Sequence, residues 1–222
     1  MVTSYFGSLK DINSKKNEEY LHFRGINSFL IEINDDEIKN LELGETYYQT
    51  FYRKTIISDN DMEIKKALQK YRKKYHIIAG VPLNAKTAAL LARDNRVDMI
   101  RINPSLGLSV FNKRYANRVL ENGKILEIDL SNFQNKYFAN KVRPLMRILK
   151  SMKVQKLSFH LTNLPTNIEE LRSDKALIAV GRLLEISGNS AATSIISDRI
   201  KQNMKKIEGK IPFPGVELDG SK

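Results

Sequence analysis

Hydrolysis of a phosphate ester at a bound metal needs several histidines and carboxylates converging on one or two ions. The chain carries three histidines, His22, His76 and His160, and no two form a His-x-His pair or a His-Glu-x-x-His helix. Asp94, Asp98 and Asp129 make no recognisable catalytic pair. No Gly-x-x-x-x-Gly-Lys-Ser, Gly-x-Gly-x-x-Gly or Gly-x-Ser-x-Gly segment occurs. Without cysteine there is no disulfide, thiolate metal site or Cys nucleophile. What remains is a set of polar residues inside apolar segments: Glu32 and Asn34, Arg101 and Asn103, Glu127 and Asp129, and Ser158, His160 and Thr162. Glu32, Asp129 and His160 could serve a metal-dependent phosphoesterase. Glu32, Arg101 and Glu127 could instead neutralise one another as a buried network, with His160 a hydrogen-bonded structural residue. The sequence therefore predicts no catalytic residue, no metal ligand and no cofactor.

The other chemistry on offer is electrostatic. Between Leu130 and Ile168 there is no acidic residue, yet Lys136, Lys141, Arg143, Arg147, Lys150, Lys153 and Lys156 all fall there. Arg143, Arg147 and Lys150 recur at i, i+4 and i+7 on one side of a predicted helix. Its other side carries Phe138, Val142, Leu145, Met146, Leu149 and Met152. Like charges at that spacing repel by roughly 0.2–0.5 kcal/mol per pair. An external polyanion would offset the repulsion; a solvated basic face is the plainer alternative. Two lesser clusters are Lys113 and Arg114 with Arg118, and Arg199 through Lys206. Arg172 and Ser173 precede a helix, where they could hold one phosphate or simply cap it. The predicted RNA-binding set is Lys136, Lys141, Arg143, Arg147, Lys150, Lys153, Arg172, Ser173, Lys113, Arg114 and Arg118.

Strands and helices in alternation must position these residues. Strand patterns lie at 29–34, 47–57, 76–81, 98–103, 124–130 and 157–162. Helical patterns lie at 59–75, 85–93 with Asn84 as cap, 112–122 stopped by Gly123, 140–152, 173–186 and 189–206. Pro144 is expected in or near the first turn of its helix. Strand-then-helix repetition implies a parallel sheet. Ile31-Glu32-Ile33-Asn34, Ile100-Arg101-Ile102-Asn103 and Leu126-Glu127-Ile128-Asp129 are apolar on one face only. An open sheet covered on both sides would be apolar on both. A closed barrel with a polar mouth accommodates the pattern. The expected organisation is an irregular segment over 1–28, a single barrel domain over 29–206 and a flexible tail over 207–222.

The chain has 222 residues, 37 Lys and Arg against 25 Asp and Glu, a formal net charge of +12 and a pI near 9.7. Such a charge needs an anionic partner, and nucleic acid is the commonest. No apolar run is long enough to span a bilayer and Met1–Lys10 lacks the apolar core of a signal peptide. The sequence thus reads as soluble, unsecreted and cytoplasmic, with no membrane partner. Phe51, Tyr52, Phe111 and Phe213, near element ends, are candidates for contact with a protein partner.

Three segments, in this order, carry a family resemblance: Val97-Asp98-Met99-Ile100-Arg101-Ile102; Asn112-Lys113-Arg114-Tyr115-Ala116 leading to Leu126-Glu127-Ile128-Asp129-Leu130; and Glu170-Leu171-Arg172-Ser173. Over roughly residues 29–206 the chain resembles archaeal ribonuclease P protein component 3, counterpart of the eukaryotic thirty-kilodalton subunit. The resemblance implies a TIM-barrel-like parallel β/α barrel of polymerase-and-histidinol-phosphatase type without that group's metal cluster. It implies an RNA-binding subunit that supports a catalytic RNA in removing the 5′ leader of precursor tRNA, the isolated chain being non-catalytic. It further implies as partners the ribonuclease P RNA, precursor tRNA and a smaller ferredoxin-like protein subunit. Leu161-Thr162-Asn163-Leu164-Pro165 departs from the family's small-residue segment after the corresponding strand.

Overall fold

The structure, a computed structural model, describes residues 2–5, 28–33, 49–131, 138–152, 157–164, 170, 172, 174–186 and 189–208. Strands β1 (Val2–Tyr5), β2 (Ser28–Glu32), β3 (Gln49–Ser58), β4 (Ile77–Pro82), β5 (Met99–Arg101), β6 (Ile125–Asp129) and β7 (Ser158–Thr162) make one sheet. All are parallel and lie side by side in the order of the sequence. Helices follow the strands: α1 (Asp61–Tyr71), α2 (Ala85–Arg93), α3 (Gly107–Val110), α4 (Lys113–Glu121), α5 (Phe138–Ser151), α6 (Asp174–Leu183) and α7 (Asn189–Ile207). A strand order with no reversal winds one way, as a TIM-type β/α barrel does, whereas a doubly wound sheet reverses its order. β1 corrects the expectation of an irregular 1–28. Its four residues pair in register with β2, Val2 opposite Ser28 through Tyr5 opposite Ile31, so partnership supplies what a short isolated segment cannot signal.

Alternation along the strands sends one set of side chains outward. Ile31, Ile78, Ile100, Leu126 and Phe159 meet Ile64 and Leu68 of α1, Leu91 of α2, Val119 of α4 and Leu145 and Leu149 of α5 in one buried cluster. Local signals place the helices on this surface. Asn60 accepts from Met62 N, Asn84 and Thr87 form a reciprocal capping box, and Asn112 accepts from Arg114 N and Tyr115 N. Gly123, at φ +56, closes α4 in the left-handed conformation that favours glycine. Gly80 lets α2 come close: a Cβ there would lie 2.5 Å from Leu91 Cδ2.

The inward set has two parts. Toward the amino ends of the strands, Leu30, Phe51, Ile77, Ala79, Met99 and Ile125 pack with Ile196 and Ile200 of α7, which touches β1, β4 and β7. Nearer the carboxyl ends come Glu32, Arg53, Arg101, Glu127 and His160. Arg53 on β3 reaches Glu127 on β6; in a flat sheet those strands stand about 14 Å apart, three strand spacings. The contact exists because the sheet curls. Phe51 and Phe111, proposed from sequence as partner contacts, are 7% and 0% exposed and belong to the core; element ends here fold back under neighbouring helices. Tyr52 is half-buried and Phe213 lies outside the described residues. α5 begins at Phe138, so Pro144 sits inside the helix, not in its first turn. Without an N–H there, the carbonyl of Asn140 loses its helical donor.

Candidate nucleic-acid interface

The barrel interior has the residues a hydrolase would use, arranged so that they bind one another. Glu127 is fully buried and accepts from Arg53 with both carboxylate oxygens, Nη1 to Oε1 and Nη2 to Oε2 at 2.6 Å. Arg101 Nε adds a third hydrogen bond to Oε2 at 2.8 Å. Glu32 uses its two oxygens on Thr55, accepting from the backbone N at 3.0 Å and from Oγ1 at 2.7 Å, and lies 3.7 Å from Arg53 Nε. Burial opposes ionisation of Glu127, but Arg53 foremost and then Arg101 outweigh it and hold the carboxyl well below the usual range. Burial likewise opposes the charge of Arg53, and Glu127 more than restores it. His160 is pushed down to about 4, mainly by burial and further by Arg53, with Glu127 opposing. At neutral pH it is an uncharged imidazole of poor basicity.

Two arginines and two glutamates thus neutralise one another. Asp129 Oδ1 accepts from Ser131 N at 2.8 Å. Among the described residues no group of three or more His, Asp or Glu is placed to hold a metal. The carboxylate oxygens of Glu32 and Glu127 are engaged by Thr55, Arg53 and Arg101, which is the buried network that the sequence offered as one of its two readings.

Asp98 has a second structural duty at the amino end of the barrel. Its Oδ2 accepts from Arg72 Nη1 at 2.5 Å and Ile78 N at 2.9 Å, its Oδ1 from Asn203 Nδ2 at 3.1 Å. Arg72 also donates to the carbonyls of Tyr75, His76 and Arg96. The set ties the end of α1, strand β4 and helix α7 to the segment entering β5. Nearby, buried Lys124 donates to the carbonyls of Asp94 and Val97. Its amine is pushed down to about 8, chiefly by burial. Arg199, grouped by sequence with the exposed lysines of α7, belongs here instead: Nη2 donates to Gly123 O at 2.7 Å and Nη1 lies 3.9 Å from Asp98. Its inward face was hidden by the basic residues around it.

The predicted RNA contacts lie on the outside. On α5, Arg143, Arg147 and Lys150 are exposed, opposite buried Leu145, Ile148, Leu149 and Met152. Lys150 Nζ is 3.5 Å from Glu185, with both side chains 63% exposed, a pair worth no more than about 1 kcal/mol. Arg143 and Arg147 form no ion pair among the described residues. On α4, Lys113 and Arg114 are exposed and Arg118 is half-exposed; Arg114 and Arg118 line a cavity with α2 and α3. Arg172 is exposed just before α6. Lys141 lies in α5, its side chain undescribed, and Lys136, Lys153, Lys156 and Ser173 lie outside the described residues. Arg114 and Arg118 lie beside α3, which packs against α5 and α2.

Sequence reasoning missed Arg53, Arg72 and Asn203. Arg53 had a usable signal: in Phe51-Tyr52-Arg53-Lys54-Thr55 it shares the parity of Phe51, which buries with α7.

No helix among the described residues is long and apolar enough to cross a membrane. A family model described as RNase P subunit p30 matches residues 28–208. No curated protein sequence matches the chain. A chain in a cryo-electron-microscopy structure of an archaeal ribonuclease P with mature tRNA is similar in fold, with TM-score 0.68, 15% identity and 100% of both chains covered. A histidinol phosphate phosphatase from Lactococcus lactis, crystallised with zinc, L-histidinol and phosphate, aligns with TM-score 0.45 and 10% identity, over 86% of this chain and 93% of that one.

Proposed function

Because the chain belongs to the RNase P subunit p30 family, and is therefore a protein subunit of ribonuclease P, we propose that it acts in that particle by binding RNA through the exposed faces of α5 and α4, not by hydrolysis in its barrel. The observation that carries this reading is the contrast between interior and exterior cations. Arg53, Arg72, Arg101 and Arg199 all have carboxylate or carbonyl partners, while Arg143 and Arg147 stand exposed one turn apart with no ion pair among the described residues. Guanidinium groups so placed suit phosphate oxygens.

The partners in this reading are the ribonuclease P RNA and precursor tRNA, whose 5′ leader the catalytic RNA removes, together with a smaller ferredoxin-like protein subunit, all in the cytoplasm. The similarity to a chain of an archaeal ribonuclease P solved with mature tRNA supports RNA as the partner class. Lys136, Lys141, Lys150, Lys153, Arg172 and Ser173 complete the proposed RNA-binding set. The protein would neutralise crowded phosphates and so stabilise the folded RNA, without reading its sequence.

A salt titration of affinity for ribonuclease P RNA tests the assignment. Arg143→Ala/Arg147→Ala should flatten the log–log salt slope by roughly 0.7–0.9 for each phosphate left without its arginine, with melting temperature unchanged. An unaltered slope would remove α5 from the RNA surface.

A further inference from the structure

Beside the α4 cluster lies an open cavity of about 370 Å³ lined by Ala85 and Ala89 of α2, Ser109 and Val110 of α3, and Arg114 and Arg118 of α4, with Asn112 and Tyr115 between. Its volume falls at the lower end of small-molecule sites, roughly 300–1,000 Å³, and exceeds what a lone phosphate fills. Ala85, Ala89 and Val110 form an apolar wall; the two guanidinium groups supply positive charge.

Most polar groups here are already engaged. Asn112 Oδ1 caps the first amides of α4, its Nδ2 donates to the carbonyls of Leu108 and Ser109, and Ser109 Oγ donates to Leu106 O. Arg114 and Arg118 have no ion pair and their guanidinium groups no hydrogen bond among the described residues, and no carboxylate lines the cavity. Tyr115 has its hydroxyl buried without a hydrogen-bond partner among those residues. Two like charges held one turn apart against an apolar wall match a ligand with an anionic end and a flat apolar body.

We propose that this cavity binds one unpaired, phosphorylated nucleotide of an RNA strand, its phosphate on Arg114 and Arg118 and its base against Ala85, Ala89 and Val110. Single-stranded RNA offers such bases, which proteins hold by apolar and stacking contacts while basic groups follow the backbone. The proposal rests on the RNA-binding reading above but makes a separate commitment: the α5 arginines meet phosphates alone, whereas this site also accommodates a base. α3, which lines the cavity, also packs against α5, the helix that carries those arginines.

The test is amide chemical-shift titration of the full chain with adenosine 5′-monophosphate, adenosine, inorganic phosphate and a single-stranded hexaadenylate. The monophosphate should shift amides of Ala85, Ala89 and Ser109–Arg118 saturably and bind at least about tenfold tighter than phosphate or adenosine, a difference of about 1.4 kcal/mol. The hexaadenylate should bind tighter still at the same amides. Arg114→Ala/Arg118→Ala should abolish the response. Ala89→Leu, which keeps both arginines and fills the cavity, should weaken the monophosphate more than phosphate. Equal responses to phosphate and monophosphate would overturn the nucleotide site, as would binding unaffected by Ala89→Leu. A monophosphate that binds as well as the hexanucleotide would overturn the RNA strand as its source. If these amides stay silent while Arg143→Ala/Arg147→Ala still flattens the salt slope, the cavity proposal alone fails; if they respond while that slope is unchanged, the α5 reading alone fails.

Discussion

Glu127 accepts hydrogen bonds from arginines on two other strands while fully buried, so neutralising it and replacing the whole group have different consequences. Glu127→Gln leaves Arg53 and Arg101 facing an uncharged amide in a water-excluded interior. It should cost about 3–5 kcal/mol, as breaking a buried pair from one side does. Replacing the three together, Arg53→Met/Arg101→Met/Glu127→Leu, removes the fully buried charges, leaves partly exposed Glu32 on Thr55, and should recover most of that loss. Urea denaturation of the three proteins decides; equal stability of parent and Glu127→Gln would contradict the network. His160 makes a second prediction. Its pKa is about 4 in the fold against 6.5 as a free side chain, so the unfolded chain takes up this proton first. The stability is fully present above pH 6.5 and is lost as pH falls toward 4, a loss on the order of 3 kcal/mol. His76 is shifted down as well, by burial and Arg72. The difference between the parent and His160→Gln, followed by denaturation from pH 7 to 4.5, isolates His160. Parallel pH profiles for the two would refute it.

Among the elements, the best-signalled were those with local instructions. Asn84 caps the helix it was expected to cap and Gly123 ends α4, while Asn112, expected as the first helical residue, is instead the cap of α4. The apolar–charged–apolar alternation of β2, β5 and β6 placed Glu32, Arg101 and Glu127 on one inward face, where they meet Arg53. Long-range partnership left no such mark. Arg72 and Asp98 are 26 positions apart and Asn203 and Asp98 are 105 apart, so no window of sequence contains the staple. β1 has four residues and depends on pairing with β2. Arg53 and Lys54 are consecutive cations; the parity that Arg53 shares with Phe51 favours it, and the register with Glu32 and Ile77 fixes it as the one that turns inward. The contact of α2 with β4 makes its own prediction. Gly80→Ala would place a Cβ 2.5 Å from Leu91 Cδ2, and Leu91 is fully buried, so its side chain must shift within the core. Overpacking of this kind costs about 1–3 kcal/mol, readable as a lowered denaturation midpoint. A midpoint equal to the parent's would mean that α2 adjusts freely on the sheet.

At the scale of the whole molecule, a chain of net charge +12 divides its cations by depth. Those inside tie the curled sheet together through carboxylates and carbonyls; those outside on α5 and α4 face solvent. In the proposed reading the fold's polar interior is separate from the particle's chemistry, and one measurement addresses that separation directly. Ribonuclease P reconstituted from its RNA and full protein complement is assayed for removal of the 5′ leader of precursor tRNA across a range of magnesium concentrations. In place of the parent chain it contains either Arg53→Met/Arg101→Met/Glu127→Leu or Arg143→Ala/Arg147→Ala. The expected result is parental cleavage with the first, whose barrel has lost its arginine–glutamate contacts, and a raised magnesium requirement with the second, whose barrel is intact. Loss of cleavage with a folded interior variant, and parental cleavage with the α5 variant, would contradict this separation and return the chemistry to the barrel.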